Sequence, residues 1–188
     1  MLELDVKGSK SYQELKSIVL SNTFPWHIDQ YGSNDKKSNF EFLSHSVVRR
    51  GDTRPNSFIY DLTLKFLQSC GLKYRFKIKQ IYRMAFNLTY PCSFEKSGIH
   101  TDLSFDHKNI IIYLKNDEYE LGTIIYNKMV ESNTSYTYKN YTYIDDKDLD
   151  ILKETKGKED TGIMFDGLHY HEAYFPKKDK RISLVVNI

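Results

Sequence analysis

Disulfide frameworks and membrane spans are both missing from this sequence of 188 residues. Its two cysteines, Cys70 and Cys92, are too few for the scaffold of a small secreted domain, which favours a reducing compartment. No apolar run approaches membrane-spanning length, so we expect no membrane partner. Acidic residues close to Met1 stand where a signal peptide carries basic ones. We therefore expect a cytoplasmic protein.

The chain also lacks an excess of charge of one sign, since 27 Lys and Arg residues face 25 Asp and Glu residues. A net charge of +2 does not favour a dedicated nucleic-acid-binding or membrane-surface protein, although it leaves a weak preference for an anionic substrate open. Aromatic residues are abundant instead, at 14% of the chain, and favour an all-β or α+β fold. The length fits one domain, residues 1–188, with one full core.

Helical periodicity is found in the first part of the chain and in one short later segment. Apolar residues recur at helical spacing over residues 12–20, where Ser11 is the expected N-cap. They recur again over residues 57–69, which Gly71 is expected to close. A short helix is also predicted over residues 146–154.

After Gly71 the pattern changes to alternating or short apolar runs bounded by Gly, Pro, Asn and Asp. Many short strands of this kind indicate a sandwich or barrel. We therefore expect an α+β fold, in which a jelly-roll core over residues 76–188 is supported by a mainly helical segment over residues 1–75. The predicted strands span residues 77–88, 99–101, 109–114, 122–126, 136–144, 162–165, 168–174 and 181–188.

Two short motifs contain residue types that bind metals. His100 and Asp102 are two positions apart on a predicted strand, so both side chains point to one side and can meet one cation. Farther on, His169 and His171 follow a Gly turn at strand spacing, and either could complete a set of two histidines and one carboxylate. Such a set leaves positions on non-haem Fe(II) for a cosubstrate and oxygen, although zinc accepts the same ligands. Each motif alone is also compatible with a purely structural strand.

Arg181 begins the last predicted strand, whose residues alternate between an apolar face and a more polar one. A buried guanidinium needs a partner, and a dicarboxylate fits because Arg binds carboxylates in a bidentate manner. Ser183, two residues on, can add a hydroxyl donor to the same ligand. The alternative is a surface arginine that follows the charged run of residues 177–180.

Taken in order, three motifs resemble those of the 2-oxoglutarate/Fe(II)-dependent dioxygenases: His100-Thr101-Asp102, Phe165-Asp166-Gly167 leading to His171, and Arg181-Ile182-Ser183. More narrowly, the chain resembles the small phage-type and prolyl-hydroxylase-like branch of that superfamily. A phage-encoded member would lie in the host cytoplasm. Further similarities are found at Phe24-Pro25-Trp26, residues 83–88, Tyr90-Pro91, residues 110–116 and Gly122-Thr123.

The resemblance implies a double-stranded β-helix, a cupin-like jelly roll, that holds Fe(II) through His100, Asp102 and His171. It favours His171 over His169 because ten residues separate His171 from Arg181, as in the family. His169 is then expected beside the metal or the substrate, or in the core.

The resemblance further implies that Arg181 binds the distal carboxylate of 2-oxoglutarate, with help from Ser183 and the hydroxyl of Tyr113. Tyr90 is a further candidate for the cosubstrate or substrate pocket. The implied metal is Fe(II), with 2-oxoglutarate and O₂ as cosubstrates and ascorbate as a candidate reductant.

The implied activity couples decarboxylation of 2-oxoglutarate to succinate and CO₂ with hydroxylation of a C–H bond, and a protein or peptide side chain such as prolyl is the expected substrate. Asp102 favours hydroxylation, because iron halogenases have a small residue at that position. The same chemistry on a small molecule or a nucleic acid is the alternative within enzymes. Outside enzymes, the alternatives are a metal-free jelly-roll binding module and a single-strand-binding module that stacks bases on the tyrosines of residues 136–143.

A tyrosine-rich segment over residues 130–158 separates the two halves of the expected metal site in the sequence. Long connections inside compact domains are usually functional or disordered. We expect this segment either to cover the mouth of the site and select the substrate, or to form an extra hairpin that extends the sheet. The oligomeric state is left open.

Overall fold

The computed structural model describes residues 1–30, 41–52, 54–116, 121–131, 142–144 and 149–188. These residues form twelve strands and two helices. In chain order they are β1 (Leu2–Asp5), α1 (Lys10–Val19), β2 (His27–Gln30), β3 (Glu41–Val48), α2 (Tyr60–Tyr74), β4 (Arg83–Thr89), β5 (His100–Thr101), β6 (Lys108–Lys115), β7 (Thr123–Met129), β8 (Thr142–Tyr143), β9 (Ile151–Glu154), β10 (Thr161–Asp166), β11 (His169–Ala173) and β12 (Arg181–Asn187).

The strands form two antiparallel sheets. The large sheet has the order β1-β10-β6-β12-β4-β3-β2, and the small sheet has the order β8-β5-β11-β7-β9. The chain crosses repeatedly between them, since β6 of the large sheet lies in sequence between β5 and β7 of the small sheet, and β11 lies between β10 and β12. This crossing is the topology of a jelly roll, and it confirms the predicted α+β jelly-roll fold.

Three apolar clusters hold the layers together. The largest joins both helices to one face of the large sheet, and Tyr12, Phe66 and Leu184 are among its fully buried members. A second cluster, which includes Ile125 and Phe165, brings residues of the two sheets together. The third lies around residues of β7 and β11 in the small sheet. The core thus covers both faces of the large sheet, as its near-continuous apolar strands require.

Alternation along β12 places each face of this strand in a different environment. Ile182, Leu184 and Val186 are buried in the cluster that includes the helices. Arg181, Ser183 and Val185 line the cavity on the other face. Because successive strand residues point to opposite faces, one strand contributes both to the core and to the cavity wall.

The helices differ in detail from their predicted bounds. Helix α1 begins after Ser9, whose hydroxyl accepts a hydrogen bond from the Tyr12 amide, so Ser9 is the N-cap instead of the predicted Ser11. Helix α2 continues through Gly71 and ends at Tyr74, and its C-cap residue Arg75 adopts the left-handed conformation at a φ of 61°. A Cβ on Gly71 would lie 2.7 Å from the carbonyl oxygen of the residue that follows Arg75, so this glycine permits a close approach inside the last turn. Neither described helix is long and apolar enough to cross a membrane.

Residues 1–75 contribute more than the expected helical support. They also form β1, which pairs with β10, and β2 and β3, which extend the large sheet beyond β4. Strand β3 was not predicted, because Ser44 and His45 interrupt its apolar pattern, although both residues are buried. The His45 ring is satisfied by contacts with the Pro25 carbonyl and the Ser57 hydroxyl.

The segment 130–158 is described only in part. Strand β8 pairs with β5, and β9 pairs with β7, so the described pieces extend the small sheet at both edges. The predicted helix over residues 146–154 is wrong where β9 forms, because these residues pair with a sheet edge. The predicted strand over residues 136–144 lies outside the described residues except at its end. A lid over the site stays a prediction.

We predict that Leu184→Ala lowers the free energy of unfolding by about 2–5 kcal/mol, the range for truncating a buried leucine. Leu184 is fully buried at the centre of the large sheet. Leu72→Ala is the matched control, because Leu72 is 85% exposed, and it should change stability by no more than about 0.5 kcal/mol. Chemical denaturation measures both. Equal losses in the two variants would contradict the assigned core.

Candidate metal centre and cosubstrate pocket

A cavity of about 100 Å³ lies between strands of both sheets. Polar groups from β5, β11 and β12 converge on it, and apolar side chains complete its wall. The predicted site residues that line it are His100, Asp102, Tyr113, His171, Arg181 and Ser183. Tertiary structure therefore gathers six of the seven predicted residues, from four separate parts of the sequence, around one space.

The strongest grouping in this wall consists of His100, Asp102 and His171. One ligand atom from each lies within 4.8 Å of the others, and all three residues are buried. Strand pairing creates the group, because His100 in β5 is directly opposite His171 in β11. The two ring centroids are 4.5 Å apart, and Nε2 of His171 lies 3.8 Å from Oδ2 of Asp102.

Hydrogen bonds set the tautomer of both imidazoles. Nδ1 of His100 lies 2.8 Å from the Gly98 carbonyl oxygen, and Nδ1 of His171 lies 3.1 Å from the His169 carbonyl oxygen. A carbonyl oxygen only accepts, so Nδ1 carries the proton and donates in each ring. The lone pair is then on Nε2, which is the arrangement of a histidine prepared to bind a metal.

The electrostatics of the site favour the deprotonated ligands that a metal requires. Burial lowers the pKa of His100, and it lowers the pKa of His171 to about 4. Burial alone would raise the pKa of the Asp102 carboxyl, but the charges of His171, Arg50, Arg83 and His100 outweigh it and hold this pKa far below its usual range. At neutral pH the site therefore offers two neutral imidazoles and one carboxylate.

This donor set fits a divalent ion. Two imidazole nitrogens and one carboxylate form the ligand set of non-haem Fe(II) sites that leave positions for other ligands. Zinc accepts the same donors, so the ligand set alone does not distinguish iron from zinc. The argument for iron depends on the neighbouring cosubstrate pocket.

His169 is the competitor of His171 in the sequence, and the structure separates the two. The register of β11 against β7 shifts between them. Nδ1 of His169 contacts the Tyr126 carbonyl oxygen at 2.8 Å, and His169 is not a member of the metal-binding group found among the described residues. Geometry therefore favours His171 at the candidate centre.

Arg181 is buried, with 5% of its surface exposed, so it is not the surface arginine considered as the alternative. Ser183 is directly opposite Tyr113 in the pairing of β12 with β6. The Tyr113 hydroxyl is hydrogen-bonded to Thr123 at 2.8 Å and to Thr155 at 3.0 Å, and burial raises the pKa of this phenol. A protonated hydroxyl and a guanidinium therefore share this wall of the cavity.

Gly122 leaves the space that the Tyr113 hydroxyl fills. A Cβ added at Gly122 would lie 2.5 Å from that hydroxyl oxygen and 2.7 Å from the Gly157 Cα. Because the Gly157 backbone blocks the other direction, a side chain at position 122 would displace the Tyr113 hydroxyl.

Tyr90 is the one predicted site residue that does not join the others. It directly follows β4, is 51% exposed and is not among the described residues that line the cavity. Its role at a substrate stays a prediction.

Three residues that contact Asp102 were missed in the sequence. Nη2 of Arg50 lies 3.0 Å from Oδ1 of Asp102, and Nη1 of Arg83 lies 3.8 Å from the same oxygen. Asn187 donates from Nδ2 to Oδ2 at 3.1 Å. The alternation of β12 already put Asn187 on the face of Arg181, but no local pattern connects Arg50 with Asp102.

No protein-family model matches the chain, and no curated protein is significantly similar to it in sequence. Solved structures do match. An oxidoreductase of the 2OG-Fe(II) oxygenase family from Burkholderia pseudomallei is 16% identical with a TM-score of 0.58, over 93% of this chain and 75% of that chain. A prolyl hydroxylase from Trichoplax adhaerens, in complex with a hypoxia inducible factor peptide fragment, is 16% identical with a TM-score of 0.57. The match covers 99% of this chain and 81% of that chain.

A third structure is the epimerase SnoN in complex with Fe³⁺, alpha ketoglutarate and nogalamycin RO. It is 7% identical with a TM-score of 0.62, over 99% of this chain and 77% of that chain. These likenesses show that the chain has the fold of the 2-oxoglutarate/Fe(II) oxygenases, which confirms the fold that the motifs implied. The narrower phage-type branch stays a prediction.

We predict that His171→Ala weakens binding of a divalent metal by at least about 10–100-fold, the loss caused by disturbing even the groups that orient metal ligands. The physical reason is the loss of the Nε2 donor beside Asp102. His169→Ala is the matched control and should keep near-wild-type affinity. Calorimetric titration with Mn²⁺, or anaerobically with Fe²⁺, measures both. A loss confined to the control variant would move the assignment to His169.

Proposed function

We propose that this protein is a 2-oxoglutarate- and Fe(II)-dependent dioxygenase that hydroxylates a C–H bond. The observation that carries the proposal is the buried group of His100, Asp102 and His171 in one cavity with the buried guanidinium of Arg181. A metal site alone would also fit zinc hydrolysis, but a metal site that shares its cavity with a carboxylate-binding arginine suits a dicarboxylate cosubstrate. The fold that the chain shares with 2-oxoglutarate/Fe(II) oxygenases supports the same function.

In this proposal His100 and His171 each hold the iron through Nε2, and Asp102 holds it through a carboxylate oxygen. The bound iron supplies the oxygen chemistry that couples decarboxylation of 2-oxoglutarate to succinate and CO₂ with substrate hydroxylation. Arg181 binds and orients the distal carboxylate of 2-oxoglutarate, and Ser183 adds a hydroxyl donor. O₂ is the second cosubstrate, and ascorbate is a candidate reductant.

The remaining wall of the cavity serves to exclude water. Phe42, Ile111, Phe175 and Val185 line it with apolar surface. A dry site strengthens the electrostatic contacts of Arg181 and limits side reactions of reactive species. Such a wall also favours an uncharged carbon chain next to the metal over a fully hydrated group.

A protein or peptide side chain such as prolyl is the proposed substrate. One of the similar structures supports it, because the Trichoplax adhaerens protein is a prolyl hydroxylase in complex with a peptide fragment. The same reaction on a small molecule is the second candidate, and the SnoN complex with nogalamycin RO favours it. The stacking tyrosines of residues 136–143 lie largely outside the described residues, so no described contact favours a nucleic acid.

Substrate-dependent succinate release tests the proposal. Prolyl peptides, small organic molecules and oligonucleotides are supplied separately with 2-oxoglutarate, Fe(II) and O₂. Succinate formation that needs Fe(II) and is lost in His100→Ala is the expected result. Failure of the wild-type protein to bind 2-oxoglutarate in the presence of metal would overturn the proposal and leave a binding module.

We predict that Arg181→Ala weakens 2-oxoglutarate binding at least about tenfold, since a hydrogen bond to a charged group contributes roughly 1.5–3 kcal/mol. Metal affinity should remain, because none of the candidate ligands lies on β12. Arg181→Lys should recover only part of the loss, because lysine cannot form the bidentate fork. Titration of the Mn²⁺-loaded proteins measures these affinities, and equal affinities in wild type and Arg181→Ala would rule out this role.

A further inference from the structure

The Tyr113 hydroxyl lies between the hydroxyls of two threonines. Its oxygen is 2.8 Å from Oγ1 of Thr123 and 3.0 Å from Oγ1 of Thr155. Thr123 begins β7 and lines the cavity together with Tyr113. Thr155 directly follows β9 and is not among the described residues that line the cavity; it lines a neighbouring groove that also reaches Tyr113. A residue outside the cavity wall thus contacts a polar group within it.

Hydrogen bonds fix Thr155 in this place. Its amide donates to the Thr123 carbonyl at 2.9 Å, and its carbonyl accepts from the Gly122 amide at 2.9 Å. The side chain is fixed as well, because Oγ1 of Thr155 accepts a hydrogen bond from the Thr123 amide at 2.7 Å. Gly122 leaves the room for it, since a Cβ at that position would collide with Oγ1 of Thr155. Thr155 therefore presents its hydroxyl to Tyr113 from a defined position.

Counting protons and lone pairs gives these hydrogen bonds a direction. A hydroxyl has one proton to donate and two lone pairs that accept. One lone pair of the Thr155 oxygen is already used by the Thr123 amide, and its proton remains for Tyr113. When Thr123 donates as well, the phenol oxygen accepts two hydrogen bonds. The proton of the phenol is then left for a third group.

A cosubstrate carboxylate in the cavity is a suitable third group. In the proposed function the distal carboxylate of 2-oxoglutarate binds Arg181, which lines the same cavity as Tyr113. A carboxylate only accepts hydrogen bonds, so it needs the proton of the phenol. Burial raises the pKa of Tyr113, so that proton is present at neutral pH. A phenol that donated to a threonine would instead turn its lone pairs toward the carboxylate and repel it.

We infer that Thr155 is a positioning residue for the cosubstrate, which donates to the Tyr113 oxygen and leaves the phenol proton for the distal carboxylate of 2-oxoglutarate. Thr123 is the second donor to the same oxygen. This inference rests on the proposed oxygenase function and deepens it. Two donors also polarise the phenol and strengthen the hydrogen bond that it gives. The end of the segment 130–158 thereby contributes to cosubstrate binding from outside the cavity.

Calorimetric titration of 2-oxoglutarate into Mn²⁺-loaded protein tests the role of Thr155. Thr155→Val removes the hydroxyl but keeps the shape, and it should weaken 2-oxoglutarate binding about three- to tenfold without changing Mn²⁺ affinity. Thr155→Ser keeps the hydroxyl and should bind nearly as the wild type does. Thr63→Val is the matched control, because the buried Thr63 hydroxyl donates to a backbone carbonyl within α2. It should leave 2-oxoglutarate affinity unchanged.

Tyr113→Phe separates an effect through the tyrosine from a merely structural effect. This variant should lose at least about tenfold in 2-oxoglutarate affinity, because a hydrogen bond to a charged group is removed. Adding Thr155→Val to it should cause no further loss, since the hydroxyl that Thr155 orients is gone. Thr155→Ala replaces Thr155→Val in this comparison if the valine variant does not fold. A loss of the same size with and without the Tyr113 hydroxyl would show that Thr155 only supports the backbone of Thr123, and the inference would be wrong.

A keto acid without the distal carboxylate provides the second check. The compound 2-oxopentanoate has the same carbon chain as 2-oxoglutarate but ends in a methyl group. Its affinity should be the same in the wild type and in Thr155→Val, because the phenol has no carboxylate to meet. An equal proportional loss for both keto acids, or wild-type affinity for 2-oxoglutarate in Tyr113→Phe, would overturn this inference and leave the proposed function standing. Failure of the wild type to bind 2-oxoglutarate would remove the proposed function itself.

Discussion

Strand β12 is the element on which the core and the site both depend. It lies between β4 and β6 in the large sheet, and its alternation sends Leu184 into the main core while Arg181 and Ser183 face the cavity. The core therefore fixes the position of the cavity wall, since a slip of one residue would exchange the two faces. Arg181, which we propose to bind the cosubstrate carboxylate, is held on a central strand, where its position is more closely defined than it would be on a loop.

Burial of Asp102 imposes the second constraint. A carboxylate that is 3% exposed needs compensating partners, and the fold supplies them from three elements, through Arg50, Arg83 and Asn187. These contacts keep the group ionised, as metal binding requires.

The small sheet is assembled around the same centre. Its inner strands β5 and β11 carry the two histidines, and β8 and β9 cover the sheet edges on either side. The pairing of His100 with His171 thus lies inside the small sheet, whose outermost strands come from the segment of residues 130–158.

The sequence by itself indicated the jelly-roll class and six residues of the cavity wall. Strand alternation grouped His100 with Asp102 and Arg181 with Ser183, and the resemblance to the dioxygenases added Tyr113 and favoured His171. It did not disclose β3, since Ser44 and His45 break the apolar pattern and are buried only with the help of distant partners. Only the tertiary structure decided that Arg50 reaches Asp102 and that His171, instead of His169, is opposite His100. Strand register and the approach of a turn depend on pairing between residues far apart in the chain, and no local pattern contains that information.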